Sequence, residues 1–207
     1  MLRRFLLLLL APVLLVGCAA DTRFDAIEDV QRAAYTAPGG PKLTLITAIS
    51  NNTGVGGHSA LMISGAQRVM FDPAGTWWHP TVPERGDVLY GMTPLMLEFY
   101  TDYHARETYH VVFQEIDLTP EIAAKAIALV EAHGPAPKAH CGQSVSGVLQ
   151  SLGFSGIRRA WYPDKIMEDF AQLPDVRENK VFDDSPDENE DILAAQKAAL
   201  VEQALAN

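Results

Sequence analysis

The sequence predicts an α+β fold in which an antiparallel sheet packs against helices, with a cysteine at one helix N-terminus. Three observations carry that expectation. Residues 42–72 hold alternating apolar positions broken by turn-forming clusters, the pattern of strands joined by short loops. Two Thr-Pro pairs, Thr93-Pro94 and Thr119-Pro120, open apolar-periodic runs with the cap-then-proline signature of a helix start. Behind Cys141, Val145, Val148, Leu149 and Leu152 fall at i, i+3, i+4 and i+7 and make one apolar helix face.

From the beginning of the chain, Arg3 and Arg4 precede an almost purely apolar run over 5–16, too short for an ordinary spanning helix and tripartite like a secretion signal. The run ends Leu15-Val16-Gly17-Cys18, which resembles a bacterial lipobox. That resemblance implies that residues 1–17 are a signal peptide and that Cys18 becomes thioether-linked to diacylglycerol. An ordinary signal peptide with an incidental Cys18 is the other reading of the same residues. Ala19 and Ala20 follow with no Asp beside the cysteine, which for Gram-negative lipoproteins implies the outer membrane, facing the periplasm. Cleavage removes two of sixteen basic residues and no acid, so fourteen face twenty-six and the formal charge moves from −10 to −12. So acidic a domain lacks the basic patches that nucleic acid requires, and no nucleic-acid partner is expected. With Cys18 acylated, Cys141 has no internal disulfide partner in an oxidising compartment, which marks it as a reactive thiol or an intermolecular partner.

Residues 18–41 read as a polar tether closed by Pro38-Gly39-Gly40-Pro41, and 42–182 as one domain with a substantial core. Strands are expected over 42–50, 58–64 and 67–72, the last two joined by a Gly65-Ala66 turn. Counted from that turn, His58 and Asp72 stand nearly opposite one another across the ladder. Residues 73–83 form an aromatic loop with Trp77, Trp78 and His79, and 87–90 a short strand. A helix from Pro94 to about residue 104, a strand over 107–118 and a helix over 120–133 follow. The Gly134-Pro135-Ala136-Pro137 break then leads into the cysteine helix, which Gly153 terminates. One more short helix is expected over 163–173. The acidic run 183–191 reads as a solvated linker, and an Ala-rich helix over 192–206 ends the chain. Truncation after Phe182 is therefore expected to leave the domain folded.

At a helix start, unpaired backbone N–H groups and the positive dipole end favour a thiolate over a thiol at Cys141. A buried cysteine acting only as a small hydrophobe is the alternative. A thiol nucleophile needs a base within hydrogen-bond reach and a group orienting that base. His58 follows a glycine loop that leaves its ring accessible and has Asp72 facing it. His140 adjoins Cys141, but neighbours at a helix start point different ways. His79 could line a cleft, while His104, His110 and His133 hold ordinary structural or surface positions. There is no paired-Cys motif and no His-Glu-x-x-His, and Gly54-Val55-Gly56-Gly57 precedes a strand instead of opening a helix, so no metal or cofactor is expected.

The Gly57-His58-x-x-Leu61 strand, the hairpin to a strand ending in Asp72 and the downstream Cys141 helix together resemble the permuted papain-like fold. This is the branch of the NlpC-type peptidase and amidase superfamily that includes relatives of lecithin:retinol acyltransferase. In unpermuted members the cysteine helix precedes the histidine strand, whereas here the order is His58, Asp72, Cys141. The resemblance spans about residues 43–173. It departs at His140, where permuted members often carry Asn or another polar residue, and the third catalytic position varies within the superfamily. It implies Cys141 as nucleophile, His58 as general base and then acid, and Asp72 as the orienter of the imidazole. The expected reaction is attack on an amide or ester carbonyl through an acyl-enzyme that water or another acceptor resolves. Peptidoglycan peptides suit the location, and lipid acyl groups or exported proteins are further candidates. The contrasting expectation is a non-catalytic envelope lipoprotein that uses the fold as an interaction module and keeps Cys141 inert.

Overall fold

The computed structural model describes residues 23–188, 191–192 and 194–199. The signal peptide, Cys18, the start of the tether and the end of the terminal helix lie outside the described residues. The described part is an α+β fold built on a seven-stranded, wholly antiparallel sheet. Its strands are β1 (Lys42–Ser50), β2 (Gly56–Ser64), β3 (Arg68–Phe71), β4 (Glu84–Arg85), β5 (Val88–Tyr90), β6 (Tyr109–Asp117) and β7 (Arg177–Val181). The spatial order is β4-β5-β3-β2-β1-β6-β7, so β1 and β2 lie in the middle and β4 and β7 at the edges. The helices are α1 (Ile27–Ala33), α2 (Pro94–His104), α3 (Pro120–His133), α4 (Cys141–Leu152) and α5 (Pro163–Phe170).

Both faces of the sheet are covered. Leu43, Leu45, Leu61, Ile63, Val69 and Phe71 point to the side occupied by α3, α4 and α5, where Ala126, Val130, Val145, Leu149, Ile166 and Phe170 complete one core. Ile46, Ala60, Met62 and Met70 point to the other side, against Met96, Tyr100 and Tyr103 of α2 and against Trp77. This is why Thr44, Ile46 and Ala48 of β1 are buried along with Leu43, Leu45 and Thr47. A strand sandwiched between two helical layers loses its exposed face, and each fully buried leucine or isoleucine adds about 1.5–3 kcal/mol.

The helix starts are as local chemistry dictates. The Thr93 and Thr119 hydroxyls accept from the N–H groups of Met96 and Ile122, each followed by proline in the first turn. Helix α4 stops at Gly153, whose φ of 106° requires a residue without a Cβ.

Four expectations need correction. The β2–β3 hairpin closes on the Ser64–Arg68 pair, so its loop holds three residues, Gly65, Ala66 and Gln67, instead of two. The tether is not free along its length. Asp25 donates its N–H to Glu84 O, Gly86 donates to Arg23 O, and Val30 of α1 is buried in the core, because an unpaired strand edge and an apolar side chain both offer docking free energy. Strand β7 was not foreseen: its sequence, Arg-Glu-Asn-Lys-Val, carries no alternation because an edge strand can pair through its backbone with charged side chains outward.

The acidic run is also not wholly solvated. Ser185 O accepts the Glu107 N–H at 3.0 Å, and Asp187 Oδ1 accepts that of Thr108 at 3.3 Å. Beyond it, buried Gln196 donates to Phe99 O at 2.9 Å and to Asp102 Oδ2 at 3.0 Å. Side-chain charge does not stop backbone carbonyls and short carboxylates from satisfying unpaired N–H groups nearby.

Candidate active site

Cys141 is the first residue of α4, and its side chain is buried against β2. The N–H groups of the first helical turn have no partner within the helix, so their positive ends converge on this position. Gly142 packs directly against the Trp161 carbonyl, where a Cβ would overlap it. That close approach seats the helix start on the segment leading into α5. His140, the N-cap, makes no side-chain cap and instead stands edge-on to the Trp161 ring at 4.8 Å.

His58 is presented by an irregularity in β2. Ala48 pairs with His58 but Ile49 pairs with Gly56, so Gly57 is an extra residue in the strand. Such bulges re-aim the neighbouring side chain. A Cβ on Gly57 would press into the Tyr109 ring, so glycine is needed for the backbone to lie that close. The Gly56 N–H is held by Asp164 Oδ1 at 3.1 Å, which ties the β2 start to α5.

Asp72 follows the last residue of β3. Continuing the observed register, it lies level with Ala60 and diagonal to His58, on the same face of the sheet. His58 Nε2 and Asp72 Oδ1 are 2.6 Å apart. The carboxylate also accepts the Tyr100 hydroxyl at 2.7 Å from α2. With Nε2 committed to Asp72, the opposite ring nitrogen remains for the thiol. The Cys141 sulfur interacts with the His58 side chain and with the backbone N–H groups of Ser59 and Gly142. The structure therefore brings together all three residues singled out in the sequence.

The electrostatics favour an ion pair. Burial works against the His58 imidazolium, but the Asp72 carboxylate, its hydrogen bond and the Cys141 thiol outweigh it and push the ring up to about 10. Burial likewise opposes the Cys141 thiolate. The His58 hydrogen bond and charge, together with the two backbone N–H groups, overcome that and lower the thiol below its ordinary value. Burial opposes the Asp72 carboxylate too, yet the His58 charge and hydrogen bond, neighbouring His104 and the Tyr100 hydroxyl hold it below the usual carboxylate range. With the His58 ring raised and both Asp72 and Cys141 lowered, the site favours a carboxylate–imidazolium pair beside an acidified thiol.

Three supporting residues were not foreseen. Tyr100, fully buried, fixes the carboxylate. His104, whose place on a helix predicts an ordinary structural role, stacks on His58 with ring centroids 5.5 Å apart, and its Nδ1–H donates to Tyr100 O at 2.8 Å. Burial, then the neighbouring His58 charge, lowers it to about 4, so it stays neutral beside the imidazolium. Asp87 accepts the Ala74 N–H at 3.0 Å and the Ala136 N–H at 2.7 Å, stitching the loop after Asp72 to the loop before Cys141. Ala74, Asp87 and Ala139 all take positive φ (58°, 65° and 62°), so backbone strain of about 1–3 kcal/mol per residue collects around the site. The Tyr100–His104 spacing of four on a helix face was the one available signal; Asp87 had none. His79, by contrast, is buried away from the cleft among Trp77 and Phe99, with Nδ1 at 2.9 Å from Thr81 Oγ1.

One opening reaches the site at His58, and a second groove adjoins it through the shared residues Ala74, Gly75 and Thr76. The first, of about 370 Å³, is lined by His58, His104, Thr76, Tyr109 and Asp187. The other, of about 480 Å³, runs along Arg23, Trp78, Glu84 and Ala74–Thr76 to Ala136 and Lys138, just ahead of Cys141. An acidified thiol beside an imidazolium, at a helix start with N–H groups to spare, can attack a carbonyl carbon and return a proton to the leaving group. Comparison with protein-family models, curated proteins and solved structures returned no match for this chain.

Proposed function

We propose that this protein is a cysteine hydrolase or acyltransferase of the cell envelope, anchored by diacylglycerol on Cys18 and acting on an amide or ester bond. The reading is carried by one observation: His58, bonded to Asp72 at 2.6 Å, stands at the sulfur of a cysteine that begins a helix. The strand-hairpin-helix order suits a circularly permuted papain-like fold. Peptidoglycan peptides are the first substrate to test, given a periplasm-facing anchor.

In the reaction so read, the Cys141 thiolate attacks the carbonyl carbon and a C–S bond forms. The oxyanion is met by N–H groups of the first turn of α4. His58 then gives its proton to the departing amine or alcohol as the C–N or C–O bond breaks, leaving an acyl-enzyme. Water or an acceptor hydroxyl or amine surrenders a proton to His58 and attacks the thioester carbonyl. Breaking the C–S bond regenerates the thiolate and releases an acid or a transferred acyl group. Asp72 stays ionised throughout and stabilises the imidazolium.

The test is covalent labelling of the folded protein with an acyl-type electrophile, followed by mass spectrometry, beside turnover of peptidoglycan fragments and simple acyl esters. Label on Cys141, abolished in Cys141→Ala and sharply reduced in His58→Ala, is expected. A folded protein whose Cys141 takes no label, with His58→Ala making no difference, would sink the catalytic reading. The anchor is tested separately: acyl mass is expected on Cys18 of the mature N-terminal peptide, and cleavage elsewhere without lipid rejects it.

A further inference from the structure

The anchor proposed at Cys18 has a geometric consequence. Four residues lie between Cys18 and Arg23, the first described residue, and the five steps from one to the other span at most about 18 Å when fully extended. Arg23 is fixed to the body of the protein. Gly86 donates to Arg23 O at 3.0 Å, Asp25 donates to Glu84 O at 2.9 Å, and Phe24 bridges to Arg85, so this segment runs along the β4 edge of the sheet. The opposite edge, β7, is six strand spacings away, about 29 Å at ~4.8 Å each. A tether this short holds the β4 edge within about 18 Å of the bilayer, while the β7 edge lies about 29 Å further along the sheet.

The side chains at the near edge suit that position. Phe24 is 58 % exposed, Ile27 50 % and Trp78 46 %, and Trp78 lines one groove together with Arg23. Arg23 there is paired with Asp25 at 2.7 Å and faces Glu84 at 3.7 Å, so what suits a lipid headgroup boundary is the exposed tryptophan among apolar neighbours. Of the acidic stretch, Asp183 and Asp184 follow directly on β7, away from the β4 edge, while Asp187 reaches back to the opening at His58. The same Arg23-Trp78 groove continues past Ala74–Thr76, next to Asp72, to Ala136 and Lys138 ahead of Cys141.

We propose that the β4 edge, with Phe24, Ile27 and Trp78, is the face apposed to the bilayer that holds the anchor, and that the groove from Arg23 to Lys138 opens the Cys141 site towards that surface. This rests on the anchor at Cys18 and is independent of which bond is cleaved.

The test uses the mature lipoprotein purified from membranes, with acyl mass at Cys18 verified first. It is reconstituted into phosphatidylethanolamine–phosphatidylglycerol vesicles whose acyl chains carry bromine close to the headgroups. In a Trp161→Phe background, which removes the other exposed tryptophan, emission should be quenched, and that quenching should be lost on adding Trp78→Phe. A reporter at the β7 side, Phe182→Trp in the Trp78→Phe, Trp161→Phe background, should remain unquenched. Quenching that Trp78→Phe leaves unchanged, or a residue-182 reporter quenched as strongly as Trp78, overturns the orientation while the anchor stands. A mature chain with no acyl group on Cys18 and no vesicle association overturns the anchor and the orientation together.

Discussion

Replacing Asp72 with Asn removes one negative charge from a site whose ionisation depends on it, while keeping size and an acceptor oxygen for the His58 ring. His58 is held at about 10 against an ordinary 6.5, a difference that corresponds to about 5 kcal/mol between its two protonation states. Burial is the largest single influence on the ring and opposes the charge, so without the carboxylate the imidazolium loses its support and the Cys141 thiolate loses its counter-ion. The thiol should return to or above an ordinary value of about 8.5, where only about 0.3 % is ionised at pH 6. A thiolate of lowered pKa is intrinsically less nucleophilic, which offsets part of that loss. The net expectation for Asp72→Asn is a fall of about tenfold or more in alkylation rate at pH 6, with wild type and variant converging near pH 9. The assay is the rate of iodoacetamide modification of Cys141 from pH 5 to 10, read by mass spectrometry, with circular dichroism to confirm the fold. Identical pH profiles for the wild-type and variant proteins, both folded, would refute the ion-pair argument.

Other consequences can be read by stability measurements. Tyr100→Phe deletes a buried 2.7 Å hydrogen bond to a carboxylate, worth about 1.5–3 kcal/mol. Its Tm should fall by about 5 °C, and an unchanged Tm by scanning calorimetry would contradict the bond's role. The His58–Asp72 pair should also give a definite pH dependence. Asp72, depressed on folding, contributes stability above its ordinary value near 3.8 that is lost as pH falls through the folded value. His58, raised on folding, contributes fully below 6.5 and loses that contribution as pH rises through about 10. Cys141, lowered on folding, gains stability as pH rises towards its ordinary value and offsets the His58 loss. Urea midpoints in a Cys141→Ala background should therefore peak between about pH 4 and 6.5 and flatten on adding His58→Ala; a Cys141→Ala midpoint that keeps rising from about pH 7 to 10 would show the sign to be wrong. Truncation after Phe182 removes the Ser185, Asp187 and Gln196 hydrogen bonds and the buried Ile192 side chain. A Tm decrease of more than about 5 °C is expected, and a truncated protein melting with the full chain would show that the tail does not stabilise the core.

The sequence by itself determined what depends on near neighbours. The starts of α2 and α3 follow from Thr-Pro pairs, because an N-cap hydroxyl and a proline act within one turn. The position of Cys141 at the head of α4 and the stop at Gly153 follow from the apolar spacing and from a single positive φ. The extent of β1, residue for residue, follows from alternation between two turn-rich stretches. The pairing of His58 with Asp72 was half legible: the hairpin brought them close, but a two-residue loop would have put Asp72 on the face opposite His58. The third loop residue moves the register by one and turns the carboxylate towards the imidazole, since side chains alternate faces at every step along a strand. What surrounds that pair was decided by tertiary packing alone. Tyr100 reaches Asp72 only because α2 lies on that face of the sheet, and Asp87 joins two loops 62 residues apart, Ala74 and Ala136. Charge hid β7 and the docked tail in the sequence, because backbone hydrogen bonds to an open sheet edge or a bare loop N–H leave no side-chain pattern.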